Sequence, residues 1–237
     1  MRPILNIGVQ AIRSASRVML QSLDRLDSLK NEPNKRLNEM QSLLENVVYS
    51  MQQTIIKVYP KHEIQWQGQS DTLPTQPLWL LQPVAGLRNF QHDIPHFALT
   101  ISHLVDKITQ VALIYDPLRD ELYSATLGQG AFMNQRRIRA SQHKDLDTAV
   151  IATNHYNAAL NALPKTHIRQ SGCTSLDLAY VAHGRIHGFV GEAIDNEYAG
   201  LLLIKESGAM QQTTPQPSGS TLNCVAASGL MDQIKVK

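Results

Sequence analysis

The chain has 237 residues, 43% of them hydrophobic and 18% charged, which is the make-up of a folded protein with a substantial core and excludes a disordered chain. Its formal charge of +2, from 22 basic and 20 acidic residues, sets up no strong overall field, so composition announces neither a nucleic-acid binder nor a binder of anionic membranes. No apolar run approaches the roughly 20 residues needed to span a bilayer. The opening Met-Arg-Pro-Ile-Leu-Asn has no signal-peptide hydrophobic region, so a soluble, cytoplasmic protein is expected. The two cysteines, Cys173 and Cys224, fall in segments that read as buried helix and strand and are expected to be reduced core thiols.

Two helical stripes open the chain. Ile4, Ile7, Ala11, Ala15, Val18, Ser22 and Leu26 share one face of a first helix. Asn31-Glu-Pro-Asn34 breaks it, because Pro33 cannot sit inside a helix. Leu37, Met40, Leu44, Val47, Met51 and Ile55 then form the stripe of a second helix, which ends near Tyr59-Pro60. The polar stretch 62–77 reads as an irregular connection. Short β-like runs follow at Leu78–Leu81, Phe97–Val105, Gln110–Tyr115, Glu121–Thr126 and Gly130–Met133, with a hairpin turn at Asp116-Pro-Leu-Arg-Asp-Glu121.

Beyond residue 145 the texture alternates. Strands are expected at Ala149–Thr153, Ile186–Val190, Met210–Thr213 and Leu222–Ala227, with 212–220 as a loop. Helices are expected at Thr174–His183, stopped by Gly184, and at Glu197–Ser207, stopped by Gly208. The short connections predict one domain over 1–237. Residues 1–145 supply two helices and a meander sheet, and residues 146–237 supply alternating strands and helices.

The segment Gly172-Cys-Thr-Ser-Leu-Asp-Leu-Ala-Tyr-Val-Ala-His-Gly-Arg-Ile-His-Gly-Phe189 resembles the helix-and-strand block G-S-A-A-L-D-L-A-Y-V-A-x-G-R-x-D-G-F of the inositol monophosphatase family. Tyr115–Tyr123, Gly128–Asn134 and Ile94–Ile101 agree with further family blocks in order and spacing, and residues 1–7 resemble the start of the bacterial SuhB-like branch. Relative to that family the chain is shorter, with the deficit expected around 156–168 and at the C-terminus. The resemblance implies an α/β (α+β) class fold, a layered α/β/α/β/α sandwich, usually as a homodimer. For intact members it implies Mg2+-dependent hydrolysis of a phosphomonoester, which needs clustered carboxylates, because Mg2+ takes oxygen ligands and activates the attacking water.

The family's metal-binding motif W-[VI]-[IL]-D-P-[LI]-D-G-T-x-N-F falls on Trp79-Leu-Leu-Gln-Pro-Val-Ala-Gly-Leu-Arg-Asn-Phe90. Its frame survives in Trp79, Pro83, Gly86, Asn89 and Phe90. The chemistry-bearing positions are Gln82, Ala85 and Leu87, where the family has Asp, Asp and Thr. The upstream acidic pair falls on Gln67 and Gly68, and a further Asp falls on Asn196, flanked by Asp195 and Glu197. An Asp on the second helix falls on Leu44, beside Glu45. A one-residue shift on a helix turns a side chain by about 100°, so Asp195 and Glu197 are expected to face away from the site.

Neutral groups at all of these positions predict no catalytic residue, no metal ligand and no cofactor. By its SuhB-like resemblance the chain is then expected to act through protein contacts as a Nus-type factor in ribosomal RNA transcription antitermination, with NusA as partner. The rival reading is a Mg2+-dependent inositol-1-monophosphatase with an atypical site recruiting Asp71, Asp93, Asp195 or Glu197. A third is a pocket that senses a sugar or polyol. Other constellations carry less. His183 and His187 are separated by Gly184 and read as packing or surface histidines. Cys173 opens a helix, where its thiol pKa is expected to fall somewhat. Gly128-Gln-Gly-Ala131 reads as a strand turn. Asn134-Gln-Arg-Arg-Ile-Arg139, with Lys144, is the strongest basic patch. It reads as a solvated hairpin end, with RNA or an acidic protein as the functional alternative.

Overall fold

A computed structural model of the chain describes every residue except 1, 68, 70–72, 156–166, 193, 195, 216–220, 227 and 235–237. Among the described residues it contains two sheets and six α-helices.

Helix α1 (Arg2–Ser28) and α2 (Pro33–Ile56) form an antiparallel pair. Pro33 occupies the first turn of α2, where its missing N–H has no helical partner to lose. Arg36 ties this corner together. Its guanidinium donates to the carbonyls of Leu26 at 3.3 Å and Gln91 at 2.9 Å and to the Asp93 carboxylate at 2.6 Å. The buried stripe of both helices rests on the first sheet, which runs in sequence order: β1 (Glu63–Trp66), β2 (Leu78–Ala85), β3 (Ala98–Val105), β4 (Ile108–Asp116), β5 (Glu121–Thr126), β6 (Gly130–Met133) and β7 (Arg136–Ile138). β1 and β2 pair parallel and the rest are antiparallel. Helix α1 approaches β4 closely at Gly8, where an added Cβ would stand 2.6 Å from Leu113 Cδ1.

The opposite face of this sheet packs on α4 (Thr174–His183) and α5 (Tyr198–Ser207). These helices meet at Gly200, whose added Cβ would lie 2.5 Å from Leu178 Cδ1. Their far side covers the second sheet of β8 (Val150–Ala152), β9 (His167–Arg169), β10 (Gly188–Glu192), β11 (Met210–Pro215) and β12 (Thr221–Ala226), in the order β11-β12-β10-β8-β9. Residues of α6 (Ser228–Met231) close the outer face through Leu230 and Met231. The succession is α/β/α/β/α, as the family resemblance implies.

Several expectations shift. Residues 63–66 are not irregular but form β1, which its pairing with Leu78–Leu81 creates. The strand expected from Leu78 runs on to Ala85, through an irregularity in register between Gln82 and Ala85. The strand expected from Ile186 begins at Gly188, because Gly184 turns left-handed and the N–H of Arg185 caps the Tyr180 carbonyl at 2.9 Å. β11 reaches Pro215, inside the segment expected to be loop. The region 156–166, where the family deficit is expected, lies outside the described residues.

Candidate functional site

The motif segment sits where β2 turns into the short helix α3 (Leu87–Gln91). Gly86 makes the turn with φ of +83°, a conformation open to glycine and costly for other residues. An added Cβ at Gly86 would lie 3.0 Å from Cys173 Cβ and 3.2 Å from the His96 carbonyl oxygen. Asn89, buried behind this turn, donates from Nδ2 to the carbonyls of His96 at 2.7 Å and Ser171 at 2.9 Å, stapling the loop to the start of α4. Phe90 meets Phe97 edge-on at 5.0 Å. Trp79 Nε1 donates to His62 Nδ1 at 3.1 Å, and its ring meets the buried His103 ring edge-on at 4.8 Å. The frame residues thus hold the shape of the loop.

The positions that carry chemistry in the family are arranged differently from a ligand cage. Gln82 is part-buried, and its Oε1 accepts from Thr100 Oγ1 at 3.2 Å. Ala85 is 2% exposed and belongs to the core formed by the first sheet and α4. The Cys173 thiol donates to the Ala85 carbonyl oxygen at 3.4 Å, so sulfur fills the space beside this backbone. Leu87 is exposed. Gln67 continues the β1 edge, its N–H donating to the Leu81 carbonyl at 2.8 Å, while Gly68 lies outside the described residues.

Asn196 is exposed and precedes α5, with Oδ1 3.4 Å from the Tyr198 hydroxyl. The helical-rotation argument for Glu197 therefore fails, because residues 196 and 197 are not yet in a helix. The Glu197 carboxylate turns inward and accepts from Ser175 Oγ at 2.6 Å, in the first turn of α4 and close to the motif loop. Burial raises its pKa, with the Ser175 hydrogen bond acting in the opposite sense. Asp177, also buried, accepts from Ser171 Oγ at 2.7 Å, and burial pushes its pKa up to about 7. Cys173 is the buried core thiol expected of its segment, and only its pKa runs against the helix-start effect. Burial raises its thiol pKa, outweighing the helix N-terminus that would lower it. Both cysteines are free and buried.

Of the other recruits proposed for an atypical metal site, Asp71 and Asp195 lie outside the described residues. Asp93 is engaged at the α1–α2 corner by Arg36 and, at 3.8 Å, by Lys30. Among the described residues no three His, Cys, Asp or Glu side chains come together to hold an ion. Among the described residues Gln82 is met by the Thr100 hydroxyl, and both are neutral oxygen groups. They do not fit the carboxylate set that Mg2+ requires. Beside the site, between α2 and the ends of β1 and β2, lies an open cavity of about 590 Å³ walled by Leu44, Val48, Tyr49, Trp66 and Pro83, with Glu45 on its rim. Leu44, where the family's helix Asp would fall, is thus part of an apolar wall.

His183 and His187 take separate roles. His183 lies edge-on to Tyr123, and His187 stacks on His143 at 4.2 Å while accepting from the Val150 N–H at 2.8 Å. The His143–His187 stack has no signature in local sequence. The same holds for the bidentate pair of Arg185 and Glu121, with both contacts at 2.6 Å, which links the end of α4 to β5.

The chain is similar to proteins of known identity over nearly its full length. It is 34% identical over 229 residues to Nus factor SuhB of Escherichia coli strain K12, covering 89% of this chain and 85% of that one. It is 32% identical over 234 residues to Nus factor SuhB of Buchnera aphidicola subsp. Baizongia pistaciae, with the same coverage of 89% and 85%. The crystal structure of extragenic suppressor protein suhB from Bartonella henselae superposes with a TM-score of 0.79 at 27% identity, covering 98% of this chain and 96% of that one. The model of the inositol monophosphatase family matches residues 1–232. With the layered fold and the Trp79–Phe90 frame, these matches place the chain in the inositol monophosphatase family.

Proposed function

We propose that this chain has kept the inositol monophosphatase fold without its metal-assisted chemistry and works as a Nus-type factor in ribosomal RNA transcription antitermination through protein contacts. The observation that carries the reading is Ala85. The position of the second motif carboxylate is a methyl group sealed in the core, 2% exposed, with the Cys173 thiol against its carbonyl. Gln82 and Leu87 on either side offer a neutral amide and no ligand. The relatives named Nus factor SuhB support the transcription role, and NusA is the partner we propose to test. On this reading the protein is a cytoplasmic, single-domain homodimer that needs no cofactor. No described helix is long and apolar enough to cross a membrane.

The rival, a Mg2+-dependent inositol-1-monophosphatase with an atypical site, has Glu197 in its favour, since its carboxylate lies near the motif loop. That carboxylate stands alone, held by Ser175, and among the described residues no three His, Cys, Asp or Glu side chains gather to complete a ligand set. Two measurements decide. Purified protein incubated with inositol 1-phosphate across a Mg2+ series is expected to release no phosphate above background, and robust metal-dependent release would overturn the inactive reading. Affinity capture with tagged NusA is expected to retain the protein, and failure to associate would remove the Nus-factor role.

A further inference from the structure

A second site lies away from the motif loop, at the edge of the first sheet. An open, polar cleft of about 400 Å³ is walled by Arg137 and Arg139, at and just beyond the edge strand β7, by Gln142, and by Lys205 and Glu206 near the end of α5. The backbone brings these distant segments together, since the Ala140 N–H donates to the Ser207 carbonyl at 3.2 Å. Arg137 lies across Gly130, where an added Cβ would stand 3.0 Å from its Nη2. Lys144, expected to join this patch, instead packs on Gly229 of α6. Lys205 takes its place.

The three cations have no ion-pair partner among the described residues. The one acid in the wall, Glu206, is engaged elsewhere. Its two oxygens accept the N–H groups of Gly128 at 2.8 Å and Gly130 at 2.7 Å. Against three positive charges stand that carboxylate and the C-terminal end of α5, worth about half a negative charge. The cleft therefore remains net positive. Arg136, next to Arg137 on the same edge strand, is exposed on the opposite face of the sheet and adds nothing to the cleft wall.

We propose that this cleft binds the phosphates of a single-stranded polynucleotide backbone. Guanidinium groups fit phosphate oxygens in pairs, and three cations spread along one open cleft of about 400 Å³ suit successive phosphates of a chain better than one free anion. The wall contains no aromatic ring on which a base would stack, so binding is expected to follow charge and not sequence. This site is independent of the motif loop and of the Nus-factor reading.

The test is fluorescence anisotropy of a labelled oligouridylate with the full-length protein over a salt series. Three phosphate contacts on a single strand predict a slope of log K against log salt of about −2. Arg137→Glu and Lys205→Glu are each expected to weaken binding about tenfold or more and to flatten the slope. Arg17→Glu, an equal charge change on the exposed face of α1, is expected to leave binding unchanged. Circular dichroism and thermal melting confirm that each variant is folded, and the milder Arg137→Gln and Lys205→Gln replace any that is not. A slope near zero, or an equal loss with Arg17→Glu, would overturn the proposal. So would displacement of the oligonucleotide by polyglutamate, or by inorganic phosphate at matched ionic strength, as effectively as by unlabelled oligouridylate.

Discussion

Returning a carboxylate to position 85 tests the reasoning about the motif loop directly. In Ala85→Asp the new side chain enters a site that is 2% exposed and packed against Cys173 and the first-sheet core. Among the described residues no Lys or Arg is buried in the core to receive it, so the carboxyl must stay protonated or force the loop open. An aspartic acid titrates near 3.9 when unfolded, and holding it neutral at about pH 7.5 costs some 3.6 pKa units, or about 5 kcal/mol. Overpacking adds about 1–3 kcal/mol, and local opening of the loop sets a ceiling on the total, so a loss of about 3–5 kcal/mol is expected. The sign with pH follows. The folded-state pKa is raised, so the electrostatic part of the loss is absent below about pH 4 and grows as pH rises above it. Urea denaturation followed by tryptophan fluorescence, at about pH 7.5 and about pH 4, reads both quantities. A loss under about 1 kcal/mol at neutral pH would show that position 85 is not sealed. Recovery of stability on adding Mg2+ would show that a cation site persists beside it.

Three further outcomes follow from buried groups. His103 is 4% exposed, neither ring nitrogen has a partner, and burial holds its pKa at about 4. Among the described residues the titratable ring against it is His62, itself lowered by burial. The unfolded chain therefore takes up the proton first. Stability is expected to fall as pH drops from about 6.5 toward 4, by at most about 3 kcal/mol, and His103→Leu should flatten that limb of the urea-midpoint profile. Asp177 has the opposite sign. Its raised pKa of about 7 means that stability is lost as pH rises from the ordinary carboxylate range through neutrality. Asp177→Asn, which keeps the shape and can still accept from Ser171, should be more stable than the parent above pH 7 by up to about 4 kcal/mol and lose that advantage below about pH 4. Gly200→Ala forces a methyl to 2.5 Å from Leu178 Cδ1 and should destabilise by about 1–3 kcal/mol, measured by thermal melting.

Much of the architecture is legible in the sequence because periodicity and punctuation agree. The α1 and α2 stripes, Pro33 between them, and Gly184 and Gly208 at the ends of α4 and α5 each state their element locally. β1 and β9 do not. Glu63–Trp66 and His167–Arg169 are short and polar, and only pairing with a neighbour makes them strands. The motif positions can be placed because Gly86 and Asn89 hold the loop to one shape. The surroundings of those positions cannot be read this way. Cys173 lies 88 residues from Ala85, and nothing in its local sequence tells that its sulfur packs against that carbonyl. The direction of Glu197 is not legible either, because the helix begins at Tyr198 and one residue at its start decides where the side chain points. Lys205 meets Arg137 and Arg139 through tertiary contacts, the Ala140–Ser207 backbone bond and the Glu206 bonds to Gly128 and Gly130.

On the proposed reading of a chain without metal chemistry, the thiol packed beneath the motif loop also bears on whether such a site can be regained. A lone carboxylate at position 85 costs stability before any cation can repay it, and a lone carboxylate at 82 or 67 leaves the ion short of ligands. Cys173 and Gly86 are in contact, so making room for a carboxylate also means changing the first turn of α4. The paths back therefore pass through intermediates that are less stable and still inert, and selection has nothing to favour along them. A sulfur atom in van der Waals contact with a loop acts here as a ratchet. Under the proposed reading it leaves the fold freer to gain new surfaces than to rebuild a metal site.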